Sequence, residues 1–393
     1  MIIRMDSLEN YITSLNSSVF WKEFTFSKNQ FSPNPGTEYE FADNIVWLQD
    51  MMLIFQLKER NNSGPSSPED EATWFTNKVL KKGTRQVRDT LKYLGEFKQI
   101  EITNLREHKF NLADFPIKCN HSLIVYHPNP NLPSKYRSLK CHISKTIGLI
   151  HLMDVSNYWS ICKTLVTPAE VFAYLSFRSD ILMKHKDASV NCSEEGLLGQ
   201  FLWGEHETVP SETYRTYFTR FINDTMDFDF SFLFANFKNQ LYVLKAPNPQ
   251  TAYYHILFEF AKLRRTELRR IMPALDNIVE KCKIGQSTSP FRLLSLNTGC
   301  AFLLIAISPK YFAKRLTLLE NLTAAAKYDL KTKRCIGLSA TRDLSNSSYI
   351  LLEWCFMDQA WTHDPVLENA ISTYKPFHPI KITKDFHYKF SEN

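Results

Sequence analysis

Three residues within one short stretch have the types and spacing to do chemistry: Asp43, Gln56 and Lys58. They lie in residues 40–60, which read as two apolar strands joined by a tight polar turn at Gln49-Asp50. A two-residue turn there sets Leu48 opposite Met51 and, counting outward, Asp43 opposite Gln56. Alternation of side chains then puts Lys58 on the same face as Gln56. A carboxylate, an amide and an ammonium therefore converge at one edge of an otherwise apolar hairpin. Burying such groups costs free energy unless they pair or bind something. The arrangement is that of a site.

The elements that must position these residues read as follows. Residues 6–16 form a first helix with Leu8, Tyr11, Ile12 and Leu15 on one face and Asp6 or Ser7 as its cap. Residues 20–26 alternate weakly as a strand, and Pro33, Pro35 and Gly36 mark a loop before the hairpin. After a flexible loop at 61–68, Glu69, Asp70 and Glu71 open a helix that runs to about Leu94, with acids at its positive end. Trp74, Val79, Val87, Leu91 and Leu94 supply its buried side. Lys78, Lys81, Lys82, Arg85, Arg88 and Lys92 make the remainder basic. That basic face is either solvated or a grip for phosphates, and the hairpin just before it favours the grip.

The order of helix, strand, loop, hairpin and basic helix resembles the core of the PD-(D/E)xK nuclease superfamily. Asp43 stands for the Asp of the motif, with Ala42 where the motif name has Pro. Gln56-Leu57-Lys58 stands for (D/E)-x-K, and the Gln in place of the acid is similar to the Q-x-K variant of the Mrr-like restriction branch. The resemblance covers the first quarter of the chain. It implies an α/β fold with an N-terminal restriction-endonuclease-like core, a mixed sheet flanked by helices. It also implies Mg²⁺ (or Mn²⁺) held by Asp43, the Gln56 side-chain oxygen and the Leu57 carbonyl, with an acid of the first helix completing the set. Glu9 is the helical choice, while Glu23 and Glu40 are nearby alternatives. Glu40 precedes Asp43 by three residues and in a regular strand points to the opposite face. In the resembled family the helix after the motif sends a Gln or Lys to the site, which here indicates Gln86 and Lys82.

On this reading Lys58 orients the attacking water and offsets charge at phosphorus, since an ammonium beside a carboxylate stays protonated. Lys78, Lys81, Lys82, Arg85 and Arg88 grip the nucleic-acid backbone, DNA being the favoured polymer, without reading bases. Defence against foreign DNA and repair are the roles such a nuclease serves. Two other classes stay open. One is a non-catalytic module that keeps the fold and binds nucleic acid or assembles with partners, which the Gln56 replacement favours. The other is an interaction protein that works through its C-terminal half.

Composition sets the outer bounds. At 393 residues two domains are the default, and 44% hydrophobic content supports a large core. A formal net charge of +6 is compatible with a polyanion without requiring one. The first ten residues lack the apolar stretch of a signal peptide, and the longest apolar run, 300–307, is too short to span a bilayer. The reading is a cytoplasmic protein with no membrane partner, for which a homo-oligomer is compatible. Eight scattered cysteines without a C-x-x-C pair read as reduced thiols rather than disulfides or structural zinc.

Further along, 100–102, 121–126 and 147–152 read as strands, with 156–162 as one more. Thr167, Pro168 and Glu170 mark a strong helix start. The polar stretch 184–195 reads as the boundary between a nuclease-like domain, 1–183, and a C-terminal α/β domain, 196–393. In the latter, 211–223 and 252–283 read as helical, the second breaking near Pro273. Strands at 302–307, 335–340 and 348–356 flank a helix at 310–328. There is no P-loop, no G-x-S-x-G elbow, and His206-Glu207 does not extend to H-E-x-x-H because Pro210 takes the place of the second His.

Overall fold

The computed structural model describes residues 7–34, 36–60, 66–112, 117, 119–222, 251–343, 349–379 and 388. The chain divides into two units, Met1–Asp227 with His387–Asn393, and Phe228–Phe386.

In the first unit, α1 (Leu8–Val19) starts at Ser7, whose hydroxyl accepts from Asn10 N. Of the segment 20–26 only β1 (Thr25–Phe26) is extended. The Pro/Gly loop is the turn of a small hairpin, β2 (Gln30–Asn34) with β3 (Thr37–Glu40), and Gly36 at φ 82° supplies the left-handed residue it needs. Then comes the central hairpin, β4 (Asn44–Leu48) and β5 (Met51–Lys58), with Leu48 opposite Met51 and Asn44 opposite Phe55 as parity requires. Gln49 takes φ 55° at the turn, where its carbonyl accepts Trp47 Nε1 at 2.7 Å.

The basic helix is one run of three pieces: α2 (Pro68–Trp74), a π-helical stretch (Phe75–Lys82) and α3 (Gly83–Glu96). Ser67 and Asp70 form a capping box at its start. A Cβ on Gly83 would come within 2.8 Å of Ile124 Cδ1, so glycine is what lets the helix lie this close to the sheet. A minor pair, β6 (Glu101–Thr103) and β7 (Lys109–Asn111), precedes β8 (Cys119–Tyr126). The short α4 (Ser134–Arg137), β9 (Cys141–Ser144) and β10 (Gly148–Asp154) follow.

These strands build a six-stranded mixed sheet in the order β1-β4-β5-β8-β10-β9. β5, β8 and β10 are mutually parallel, so the basic helix is the crossover from β5 to β8. One face packs under that helix: Met52 and Ile54 join Phe26, Phe41 and Leu91, and Ile124 and Ile150 join Phe75, Val79 and Val87. Each such side chain, fully buried, stabilises the fold by roughly 2 kcal/mol. On the other face lie α1, α5 (Val155–Thr164) and α6 (Pro168–Lys184). Phe55 meets Tyr158 edge to face, and the Tyr158 hydroxyl donates to Asn16 Oδ1 at 2.6 Å.

Two readings change here. Residues 156–162 are helical, because Tyr158, Ile161 and Cys162 form a buried face at helical spacing. The chain also does not part at 184–195. That stretch carries α7 (Lys186–Val190) and leads into α8 (Glu194–Trp203), whose Glu194 pairs with Arg178 of α6 in the buried interior. Residues 212–222 follow as a 3-10 turn and α9 (Arg215–Ile222), with position 223 of the expected helix outside the described residues.

Among the described residues of the second unit, α10 (Tyr254–Ala261) and α11 (Arg265–Lys283) come first. The break falls between them rather than at Pro273, which sits within α11. Arg264 is extended and its amide donates to Glu267 Oε2 at 2.9 Å, which starts a new helix there. β11 (Phe291–Leu294), β12 (Cys300–Ile307), β13 (Arg334–Arg342) and β14 (Ile350–Asp358) form a four-stranded sheet in sequence order. α12 (Arg315–Asp329) crosses between the parallel β12 and β13, and α13 (Pro365–Tyr374) follows the last strand. The apolar β12 is buried along its whole length, as a strand covered on both faces must be. Seven described cysteines are free thiols, five of them buried. No described helix is long and apolar enough to cross a membrane.

Candidate functional site

Asp43 stands one residue before the first ladder pair of the hairpin, Asn44–Phe55. Its Oδ2 accepts the backbone amide of Leu57 at 2.5 Å and lies 3.3 Å from Lys58 Nζ. Lys58 Nζ also donates to the Leu57 carbonyl at 2.9 Å. The carboxylate thus closes the open end of the hairpin by holding both the amide and the cation of the facing strand. Lys58 is 8% exposed and β5 is fixed beyond it, with His127 N donating to Lys58 O at 3.0 Å.

Burial lowers the Lys58 proton affinity. The Asp43 carboxylate opposes that shift, Lys82 adds to it and Glu40 opposes it, yet desolvation prevails. Burial and the Asp43 carboxylate therefore pull the Lys58 proton affinity in opposite directions. The residue is poised closer to the neutral amine than an exposed lysine.

Gln56 is 2% exposed, and its Oε1 is buried with no hydrogen-bond partner. An orphan carbonyl in a strand interior costs about 1–3 kcal/mol. Gln86, four residues after Lys82 on α3, has a side-chain oxygen in the same condition, as does the Thr84 hydroxyl. α3 lies against the hairpin, where the Thr90 hydroxyl donates to the Phe41 carbonyl, and the charge of Lys82 is felt at Lys58.

Glu9, in the first turn of α1, holds its proton more tightly than usual, through burial first and then the charges of Asp43, Glu40 and Glu59. Four carboxylates therefore share one electrostatic neighbourhood at the end of the hairpin. Two of them escape a reading by strand parity. Glu40 ends β3, and the chain between it and β4 is not a strand, so the rule that sent it to the opposite face does not apply. Glu59 follows the motif directly, and its Oε2 accepts Leu8 N at 3.0 Å, tying the start of α1 to the end of β5. Glu23, the other alternative, is engaged elsewhere, 2.7 Å from Arg106 Nε.

Lys78, Lys81, Lys82, Arg85 and Arg88 all line one open groove, with Asn77, Leu80, Thr84 and His142. All five cations are exposed. His142 belongs to β9, and burial lowers its proton affinity.

Among the described residues no group of three His, Cys, Asp or Glu side chains stands ready to hold a metal. The donors present at the hairpin are oxygens: the Asp43 carboxylate, the Leu57 carbonyl, the orphaned Gln56 Oε1 and the carboxylate of Glu9. That chemistry fits a hard divalent cation. No protein-family model, no curated protein and no solved structure matches the chain.

Proposed function

We propose that this chain is a metal-dependent nuclease that hydrolyses phosphodiester bonds in DNA, with a restriction-endonuclease-like core in its first unit. The observation that carries the reading is the Asp43–Lys58 contact of 3.3 Å beside an unpartnered, buried Gln56 oxygen. The order of the elements supports it: a helix, a hairpin and a basic crossover helix that leads to a parallel strand.

Asp43, Gln56 and the Leu57 carbonyl would hold Mg²⁺ or Mn²⁺, with Glu9 adding negative charge. Bound there, such a cation neutralises phosphate oxygens and lowers the pKa of a coordinated water. Lys58 would orient the attacking water and offset charge at phosphorus. Gln86, whose side-chain oxygen is buried without a partner, would offer its amide to the same water. The groove cations Lys78, Lys81, Lys82, Arg85 and Arg88 hold the phosphate backbone. Cytoplasmic defence against foreign DNA, or repair, is the setting in which such an enzyme works.

The test is cleavage of plasmid, linear and single-stranded DNA, with RNA alongside, in Mg²⁺ and Mn²⁺, by wild type and Lys58→Ala. Cleavage by wild type alone supports the reading. A second reading, a nucleic-acid-binding module that does not cleave, is favoured by one observation: Lys58 Nζ is already satisfied by Asp43 and Leu57 O. DNA binding without cleavage by either protein would select it.

A further inference from the structure

The sheet face away from the basic helix buries a chain of hydrogen bonds whose direction one donor-only group fixes. Arg178 of α6 is fully buried. A guanidinium can only donate. Its Nη1 donates to His151 Nδ1 at 2.8 Å, so that nitrogen carries a lone pair and the imidazole proton sits on Nε2. Nε2 in turn donates to Ser179 Oγ at 3.2 Å, and Ser179 donates to the Leu175 carbonyl at 3.0 Å. The same guanidinium holds both oxygens of Glu194 on α8, at 2.8 and 3.0 Å, and the carbonyls of Lys140 and Leu152. The Tyr174 hydroxyl donates to Glu194 Oε1 at 2.5 Å. His121 of β8 lies 5.5 Å from His151, ring centre to ring centre, with its Nε2 3.2 Å from Ser176 Oγ. This tautomer excludes Ser179 as an activated nucleophile, because the facing nitrogen gives a proton rather than taking one.

We propose that this assembly is an acid-sensitive latch, which holds α6 and α8 on the sheet at neutral pH and releases them in acid. A second proton on His151 can sit only on Nδ1, where it would face the N–H of Arg178. The imidazolium would also stand beside a buried guanidinium, where like charges are poorly screened. Among the described residues no neighbour compensates: Glu194 is already engaged by Arg178, and the charges felt at His151 are those of Arg178 and His121, both opposing a further proton. Burial pushes the Cys192 thiol up to about 11 and raises that of Cys141, so both stay neutral. Tyr174 stays neutral for the same reason. Asp180 favours charge on His121, but burial outweighs it and holds that imidazole at about 4. Opening the latch lets both rings take protons, so acid favours the open form.

Amide hydrogen exchange read segment by segment between pH 7 and 5, corrected for intrinsic rates, tests this. The open population of α6 and α8 should rise at least tenfold per pH unit below 6 in wild type, while β12 and β13 keep their protection. His151→Gln supplies an acceptor for Arg178 and a donor for Ser179 without titrating, and should flatten much of the rise. An unchanged pH dependence in H151Q overturns the proposal. Should H151Q fail to fold, the His151 ring-proton resonance of wild type decides. An ordinary titration near 6.5 in the folded protein overturns the latch, and no titration before opening upholds it.

Discussion

Lys58 Nζ lies 3.3 Å from Asp43 Oδ2, and the same oxygen accepts the amide of Leu57. The pair is nearly buried, with side-chain exposures of 9% and 18%. Removing only the acid leaves an ammonium in an apolar sheet, whereas removing only the ammonium leaves a carboxylate that still accepts Leu57 N. Asp43→Ala should therefore cost about 3 kcal/mol of stability. Lys58→Met keeps the stem and should cost about 1 kcal/mol. Both should abolish cleavage. Urea unfolding beside a plasmid assay separates the effects, and equal destabilisation by the two would show that the pair is not held as described.

Gln56 is where the chain departs from an acidic donor set. Its Oε1 is buried without a partner, so a carboxylate in its place adds charge where an oxygen already points inward. Gln56→Glu should lower the stability of the metal-free protein, since a second buried acid joins Asp43. It should also tighten Mn²⁺ binding by tenfold or more. The readout is the rise in melting temperature on adding Mn²⁺, compared with wild type. A variant that loses stability and gains no metal response would remove the hairpin from consideration as a metal site.

The groove makes a separate prediction, because Lys78, Lys81, Lys82, Arg85 and Arg88 line one wall system and all face solvent. For duplex DNA the logarithm of affinity falls with the logarithm of salt by about 0.9 per phosphate neutralised. Lys81→Ala and Arg85→Ala should each flatten that slope by about 1, with little change in fold stability. Fluorescence anisotropy titrations at several salt concentrations give the slopes. Unchanged slopes in both variants would mean that the basic face is solvated surface.

Local signals made the hairpin legible. The pairing of Leu48 with Met51 follows from the turn position alone, and the Ser7 and Thr167 caps are written in residue type. What failed was any inference that needed the path of the backbone between elements. Strand parity sends Glu40 to the face opposite Asp43, yet three residues that are not strand separate β3 from β4. The 156–162 stretch is short enough to read as a strand, and the spacing of Tyr158, Ile161 and Cys162 by three and four shows the helix. Pro273 reads as a breaker but lies inside α11, because the start at Arg264 is set by a Glu267 carboxylate that caps it. The polar stretch at 184–195 reads as a linker until Glu194 is seen against Arg178, a pairing that sequence distance hides.

Glu9 gives the site a pH dependence whose sign is fixed. Burial and the charges of Asp43, Glu40 and Glu59 raise its proton affinity above the ordinary value of 4.5. In the window just above 4.5 the folded protein therefore binds more protons than the unfolded chain, and stability falls as pH rises through it. The penalty grows as Glu9 ionises, because its carboxylate is held among other acids. Glu9→Gln should melt higher than wild type at pH 7, and the two curves should converge as pH falls below 4.5. A bound cation reverses the balance by giving the acids a common partner, so the same variant should gain less in melting temperature from Mg²⁺ or Mn²⁺. A Glu9→Gln protein that matches wild type at pH 7, with and without metal, would place α1 outside the site.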